Sequence, residues 1–105
     1  MTTDMMETRS PWIDGGRWLT GLRRDQMLTP AELAEQVGAP SARWIEEVEA
    51  GRRPIPSSLY LSFARQFAMS APDFAALCLK FYDPKAHEAL FGPATPALAE
   101  VRAAA

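Results

Sequence analysis

The stretch that decides the fold runs from residue 29 to residue 51 and reads TPAELAEQVGAPSARWIEEVEAG. Thr29 can cap a helix over residues 30–37, because Glu32 stands where it completes a capping box. The apolar residues of this segment recur at helical spacing and are predicted to face inward: Leu33, Ala34 and Val37. Gly38 is typical of the position just after a helix, so the first helix is predicted to end there.

A second short helix is predicted over residues 42–50. Ser41 supplies its N-cap, since a serine hydroxyl can accept from a free backbone N–H group of the first turn. Ile45 and Val48 form its apolar edge, and Gly51 closes it. Two short helices joined by a tight turn make a helix-turn-helix unit, the arrangement that places its second helix in the major groove of DNA.

Apolar residues at helical spacing continue on both sides of this unit. They predict a first helix over residues 15–26 capped by Asp14, a fourth that starts at Ser57 or Ser58, and a fifth capped by Ser70. No alternation typical of a β-strand extends beyond a few residues. The predicted fold is therefore all-α: a five-helix bundle followed by a short C-terminal helical extension.

The chain divides into three predicted segments. Residues 1–13 are expected to be a flexible leader, residues 14–82 the helical domain, and residues 83–105 an extension that can serve in dimerisation. Within the extension, Asp83-Pro84 predicts a short helix and Thr95-Pro96 a weak one.

Composition excludes several classes of protein. The 105 residues carry 11 Lys and Arg against 13 Asp and Glu, a net charge of −2, and contain no apolar run long enough for a membrane span. The single cysteine, Cys78, lies in an apolar segment and is expected to be a small core residue in a reducing cytoplasm. The lone His87 has no ligand-spaced companion, and neither a phosphate-binding glycine loop nor a nucleophile motif is present. We therefore expect no enzyme, no cofactor, no metal and no membrane partner.

Basic residues lie on both sides of the predicted unit. The five arginines concerned are Arg17, Arg23, Arg24, Arg52 and Arg53. Because a few phosphate contacts suffice for each subunit of a small DNA-binding protein, the near-neutral net charge is compatible with DNA binding, although a lone monomer would bind weakly.

The same stretch resembles a known family through several short groups of residues: Leu22-Arg23, Leu28-Thr29, Glu32-Leu33-Ala34, Val37-Gly38, Ile45 and Val48-Glu49-Ala50-Gly51-Arg52-Arg53-Pro54. Further matches follow at Phe63-Ala64, Phe67 and Phe74. They resemble the Cro/lambda-repressor-like, or XRE-type, helix-turn-helix family over residues 17–80. The resemblance implies a five-helix bundle that binds palindromic operators as a dimer and regulates transcription.

The resemblance also implies roles for individual residues. Base contacts fall on four positions of the second helix of the unit: Ala42, Arg43, Trp44 and Glu47. Phosphate contacts fall on residues at the two N-caps and just past the second helix: Thr29, Ser41, Arg52 and Arg53. A structural ion pair is expected between Arg23 and Glu49, which agrees with the need of a partly enclosed carboxylate for a partner.

Several of these roles have alternatives. Arg43 can grip a guanine or remain a solvated surface residue, and Trp44 can touch a base or pack inside the protein. Glu47 can accept from a cytosine amino group, or it can repel the DNA together with Glu46. The last apolar residues can either cover the edge of the bundle or form a homodimer surface: Tyr82, Leu90 and Phe91.

The sequence therefore predicts a cytoplasmic regulator of bacterial or phage type that binds double-stranded DNA as a homodimer on an inverted repeat. The alternative is a helix-turn-helix-derived protein-interaction module, or an antitoxin-like partner binder with weak DNA affinity. The interaction module keeps the bundle but has an acidic DNA face, whereas the antitoxin-like binder also recognises its own promoter.

Overall fold

The computed structural model describes residues 11–92. Within this range the chain forms six α-helices and one 3₁₀ turn, Ser57–Leu59, and it contains no strand. We number the helices α1 to α6 in chain order: Ile13–Asp25, Pro30–Val37, Ala42–Glu49, Tyr60–Gln66, Ala71–Tyr82 and Pro84–Phe91. The prediction of an all-α fold is confirmed for residues 11–92. The first ten residues of the predicted leader and the predicted helix at Thr95-Pro96 lie outside the described residues.

The two helices of the 29–51 stretch begin at side-chain caps. The Thr29 hydroxyl accepts from the Glu32 backbone N–H at 3.1 Å, and the Thr29 N–H donates to the Glu32 carboxylate at 2.8 Å. The Ser41 hydroxyl accepts from the Trp44 N–H at 3.1 Å. Since these bonds satisfy donors that a helix start leaves free, α2 and α3 begin where the sequence predicts. Gly38 ends α2 in the left-handed conformation, with a φ of 76°.

Helices α1 and α4 begin differently from the predictions. Trp12, rather than Asp14, is the N-cap of α1, and its carbonyl accepts from the Gly16 N–H at 3.0 Å. Asp14 is therefore not a cap but lies within the first helical turn. The backbone of Ile13 lies so close to Gly51 that a Cβ there would come within 2.8 Å of the Ile13 Cα. The start of α1 therefore lies at a contact between segments that are distant in sequence. Local sequence signals cannot predict such a contact.

Helix α4 is preceded by the 3₁₀ turn, and Leu59 donates its N–H to the Pro56 carbonyl at 3.0 Å. Ser57 and Ser58 therefore lie in this turn, and neither caps a helix.

The core lies between the inner faces of the first five helices. α3 packs against α1 and α2, while α5 packs against α4 and α6. Phe63 is central: its ring stacks on Phe74 with centroids 5.8 Å apart and lies 6.4 Å from Trp44 and from Phe67. The nine largest of the almost completely buried side chains are Leu19, Leu33, Val37, Ile45, Val48, Ile55, Phe63, Phe74 and Cys78.

The core position predicted for Cys78 is confirmed. Burial raises the pKa of the thiol to about 12, although a hydrogen bond with Tyr60 partly opposes that shift. The thiol is therefore protonated near neutral pH, which is unfavourable for nucleophilic chemistry.

Two glycines allow α1 to approach its neighbours closely, a feature that sequence analysis missed. A Cβ on Gly16 would overlap the Glu49 carbonyl oxygen and lie 2.8 Å from the Val48 carbonyl oxygen. A Cβ on Gly15 would lie 2.8 Å from the Tyr82 ring. A Cβ at Gly16 would meet backbone, and one at Gly15 would require the Tyr82 ring to shift, so α1 lies close against the ends of α3 and α5.

The C-terminal helix α6 contributes nothing to the buried core. None of its residues is buried, and the side chains of Leu90 and Phe91 are 68% and 46% exposed. Tyr82 differs from them, because its ring packs against the core and its hydroxyl oxygen is buried. Burial also raises the pKa of Tyr82. Tyr82 therefore covers the edge of the bundle, one of its two predicted roles, and its part in a dimer surface stays a prediction.

Candidate nucleic-acid interface

Helix α3 has a buried inner side and an exposed outer side. Trp44, Ile45 and Val48 are buried, whereas Arg43 and Glu46 are exposed. The inner residues hold the helix in the core, so its outer side is presented on a rigid support, as recognition of a ligand requires.

Arg43 is the more exposed of the two charged residues in the predicted base-contact set, the other being Glu47. It lies in the first turn of α3, and its side chain is 87% exposed. Its Nε is 3.7 Å from a carboxylate oxygen of Glu47, which is an exposed ion pair of little stabilising value. The guanidinium is therefore free to extend toward a ligand. Ala42, the preceding member of the set, is half-buried.

Trp44 does not fit the base-contact role. Only 8% of its surface is exposed, and the indole packs beside Phe63 in the core. A side chain buried in this way cannot lie on a base edge, so the predicted base contact is wrong and the packing alternative is confirmed. The guanidinium carbon of Arg53 lies 5.7 Å from the centroid of the indole, within the range of a cation–π contact.

The carboxylate of Glu47 lies between two arginines. One oxygen is 3.1 Å from the Nε of Arg53, and the other faces Arg43. The Glu47 side chain is 26% exposed. Arg53 thus engages one oxygen firmly, whereas the contact of the other with Arg43 is loose, and a base contact by Glu47 stays a prediction. The structure brings Arg43, Glu47, Arg53 and Trp44 together in one group, which we call the α3 charge cluster.

Arg53 reaches this cluster because the chain reverses at Gly51. The Arg52 N–H donates to the Glu47 carbonyl at 2.9 Å, and the Gly51 N–H donates to the Val48 carbonyl at 3.0 Å. With a φ of 76° at Gly51, these bonds form a Schellman motif. Sequence analysis recognised the terminal glycine but missed that the reversal returns Arg53 to α3.

The predicted ion pair between Arg23 and Glu49 is present. The Arg23 Nε and Nη2 donate to the two carboxylate oxygens at 2.6 and 3.0 Å, and Nη1 donates to the Leu28 carbonyl at 2.7 Å. The side chains are only 12% and 11% exposed. The hydrogen bond to Glu49 raises the pKa of Arg23, while desolvation partly opposes the rise. The pair joins α1 to the end of α3 and to the segment that precedes α2.

The predicted phosphate contacts lie at exposed positions of the chain. Thr29, Ser41, Arg52 and Arg53 are all exposed residues. The hydroxyls of Thr29 and Ser41 accept as helix caps, and a hydroxyl that accepts still has a proton to donate. The backbone N–H of Thr29 is already bound to Glu32, so only the hydroxyl of that residue is suited to a phosphate.

The predicted dimer residues lie elsewhere in the fold. Leu90 and Phe91 belong to α6, which packs against α5 rather than beside α3. His87 lies on the same helix, and its ring centroid is 4.7 Å from that of Phe91. The exposed apolar residues of α6 and the α3 charge cluster therefore lie on different parts of the fold.

Within residues 11–92, no three His, Cys, Asp or Glu side chains are placed to hold a metal ion. None of the helices in that range is long and apolar enough to cross a bilayer. No protein-family model matches the chain, and no curated protein or solved structure is significantly similar to it.

Proposed function

We propose that this chain is a sequence-specific DNA-binding transcriptional regulator of the cytoplasm, acting as a homodimer on an inverted repeat. In this proposal α2 and α3 form a helix-turn-helix unit, the first five helices form a repressor-like bundle, and α3 enters the major groove. The observation that carries the proposal is the exposed Arg43 in the first turn of α3, a helix whose opposite side is fixed in the core.

The support of α3 suits base recognition. An arginine reads guanine through two parallel hydrogen bonds, so its backbone must be held in a constant position relative to the groove. Three buried side chains and the Arg23–Glu49 ion pair supply that constraint. Arg43 then reads the base, while Ala42 allows close approach because its side chain is short.

Phosphate contacts come from residues around α3 in this proposal. Arg52 and Arg53 follow the C-terminal end of the helix, and Ser41 precedes its N-terminal end. Groups at both ends of a helix can contact the two backbones that border a groove and so set the register of the protein on the duplex. Thr29, at the start of α2, adds a further hydroxyl.

A second copy of the chain is part of the proposal. Leu90 and Phe91 are large apolar residues exposed on α6, and a homodimer interface would remove them from water. Two copies related by a twofold axis would place their α3 helices in successive major grooves, about 34 Å apart.

The proposal is tested by titrating labelled duplexes with the parent chain, with Arg43→Ala, and with the double variant Arg52→Ala/Arg53→Ala. Arg43→Ala should reduce discrimination between sequences, because it removes the base contact. The double variant should weaken binding to all duplexes and flatten the dependence of affinity on salt, because it removes phosphate contacts. Gln36→Ala is the matched control, since Gln36 is exposed on α2 and has no proposed contact.

A protein-interaction module is the second candidate, and the exposed apolar residues favour it. Leu61 on α4 is 51% exposed, in addition to Leu90 and Phe91 on α6, and the chain has a net charge of −2. Duplex affinity that is equally poor in the parent and in the arginine double variant at low salt would support this module and contradict the DNA-binding proposal.

A further inference from the structure

We infer that Glu47 is a specificity-determining residue: its carboxylate holds the two arginines of the α3 charge cluster and competes with DNA phosphates for them. The inference rests on the proposed function and assigns to Glu47 a role other than contact with a base. It starts from the geometry of four side chains: Arg43, Trp44, Glu47 and Arg53.

The contacts of Glu47 engage both of its oxygens. Arg53 approaches one oxygen to 3.1 Å and at the same time lies over the Trp44 indole at 5.7 Å. Arg43 approaches the other oxygen to 3.7 Å from one helical turn earlier. Arg53 is thus held on two sides, whereas Arg43 is held loosely by one weak contact. The two arginines differ in how readily each can leave the carboxylate.

This arrangement discriminates between duplexes. Every duplex offers phosphates, and to bind them Arg53 must exchange the Glu47 carboxylate for a phosphate while that carboxylate repels the backbone. The exchange weakens binding to all sequences. Arg43 adds the difference between sequences, because Glu47 faces its Nε and leaves Nη1 and Nη2 for a guanine. At a cognate site Arg43 therefore binds the base and stays beside Glu47, whereas on other duplexes it must leave Glu47 to reach a phosphate. Glu47 therefore lowers the affinity for non-cognate DNA more than the affinity for a cognate site. The ratio of cognate to non-cognate affinity increases as a result.

The chain contains a matched control for the charge of Glu47. Glu46 is the adjacent residue on the same helix, it is exposed, and its charge acts on Arg23. Glu46→Gln and Glu47→Gln remove the same formal charge and keep the side-chain shape. They differ in the contacts with Arg43 and Arg53.

The experiment measures the affinity of full-length variants for two probes, a random-sequence duplex pool and the duplexes that the parent enriches from that pool. Glu47→Gln should bind the random pool about fivefold more tightly than the parent, the effect of one nearby charge in water. Its preference for the enriched duplexes should fall, whereas Glu46→Gln should change affinity by less than about twofold. In an Arg53→Gln background the effect of Glu47→Gln should shrink, because the two residues act as a pair.

Three results would overturn the inference. If Glu46→Gln and Glu47→Gln raise affinity equally, the effect is one of net charge and Glu47 has no special role. If Glu47→Gln leaves the preference for the enriched duplexes unchanged while the parent binds DNA, the inference fails and the proposed function stands. If the parent and all variants bind neither probe at low salt, the inference and the proposed function fail together.

Discussion

Arg23 and Glu49 form the central polar contact among the residues that hold α3 in place. Both carboxylate oxygens and a backbone carbonyl accept from one guanidinium, so each of its three nitrogens donates one hydrogen bond. Removing one partner would leave the other charge largely enclosed without compensation, which costs more than the pair contributes when intact. The contact is therefore better regarded as a constraint on geometry than as a large source of stability.

Arg23→Ala should lower the free energy of unfolding by about 3 kcal/mol, because the Glu49 carboxylate remains partly buried without its partner. Arg24→Ala is the matched control, since Arg24 is the next residue along α1 and is exposed. It should change the free energy of unfolding by less than about 0.5 kcal/mol. Urea unfolding measures both values. Equal destabilisation by the two variants would contradict the role assigned to the ion pair.

Gly16 and Gly21 provide a second test at single residues. Gly16→Ala should destabilise the protein by about 2 kcal/mol or more, because the added Cβ overlaps the Glu49 carbonyl oxygen and forces α1 and α3 apart. Gly21→Ala should instead stabilise it by about 0.5–1 kcal/mol, since no atom lies within 4 Å of the added Cβ and alanine favours a helix. Thermal unfolding followed by circular dichroism measures both. The same sign for both variants would contradict the close contact at Gly16.

At the scale of the helical elements, four chain reversals follow a common geometry but use different residues. Gly38 and Gly51 occupy the left-handed position after α2 and α3, whereas Met27 and Ala68 occupy it after α1 and α4. After α1, the Met27 N–H bonds to the Arg24 carbonyl and the Leu28 N–H to the Arg23 carbonyl, the two bonds of a Schellman motif. Left-handed backbone is unfavourable for a residue with a Cβ, so the ends of α1 and α4 carry strain.

Met27→Gly should raise the free energy of unfolding by about 0.5–1 kcal/mol, because glycine adopts a φ of 58° without steric cost. Little packing is lost, since Met27 is 90% exposed. Gly38→Ala, at a φ of 76°, should act in the opposite direction by about 1 kcal/mol. Urea unfolding measures the free energy of unfolding of both variants. No gain from Met27→Gly would show that the left-handed turn is not strained there.

Local sequence signals predicted α2 and α3 because both have a side-chain cap at one end and a left-handed glycine after the other. The start of α1 was not predictable in this way, since the Ile13–Gly51 contact joins segments that are distant in sequence. The same holds for Met27, whose side chain gives no sign of a left-handed conformation.

The candidate site was predictable only in part. The Arg23–Glu49 pair followed from a family resemblance, and so did the base-contact role of Arg43, which stays a prediction. The burial of Trp44 depends on how α3 is rotated about its axis and on Arg53, which returns over the indole. The residues next to Trp44 in the sequence predict neither.

At the scale of the whole molecule, the first five helices carry the core and α6 lies outside it. No residue of α6 is buried, and the helix is attached mainly through α5. The described part of the chain therefore combines a complete core with a helix whose apolar residues, Leu90 and Phe91, remain in contact with water. A second copy of the chain would give this helix a role in the proposed homodimer.

Truncation after Tyr82 should leave a folded monomer, because every buried core residue is retained and the exposed apolar residues of α6 are removed. In the full chain, replacing Leu90 and Phe91 together by Glu should also give a monomer, whereas Leu61→Glu on α4 should leave the dimer intact. Light scattering gives the molecular mass, and circular dichroism checks the fold. Retention of full dimerisation by the truncated chain would contradict the role assigned to α6.

The central claim is that α3 presents Arg43 to the major groove of a specific duplex. The most direct measurement is selection of bound duplexes from a random pool, carried out in parallel with the parent chain and with Arg43→Ala. The parent should enrich an inverted repeat whose half-sites contain a guanine and are centred about one helical turn apart, and Arg43→Ala should lose the preference for that guanine. Enrichment of no sequence by the parent, or of the same sequence by both proteins, would contradict the central claim.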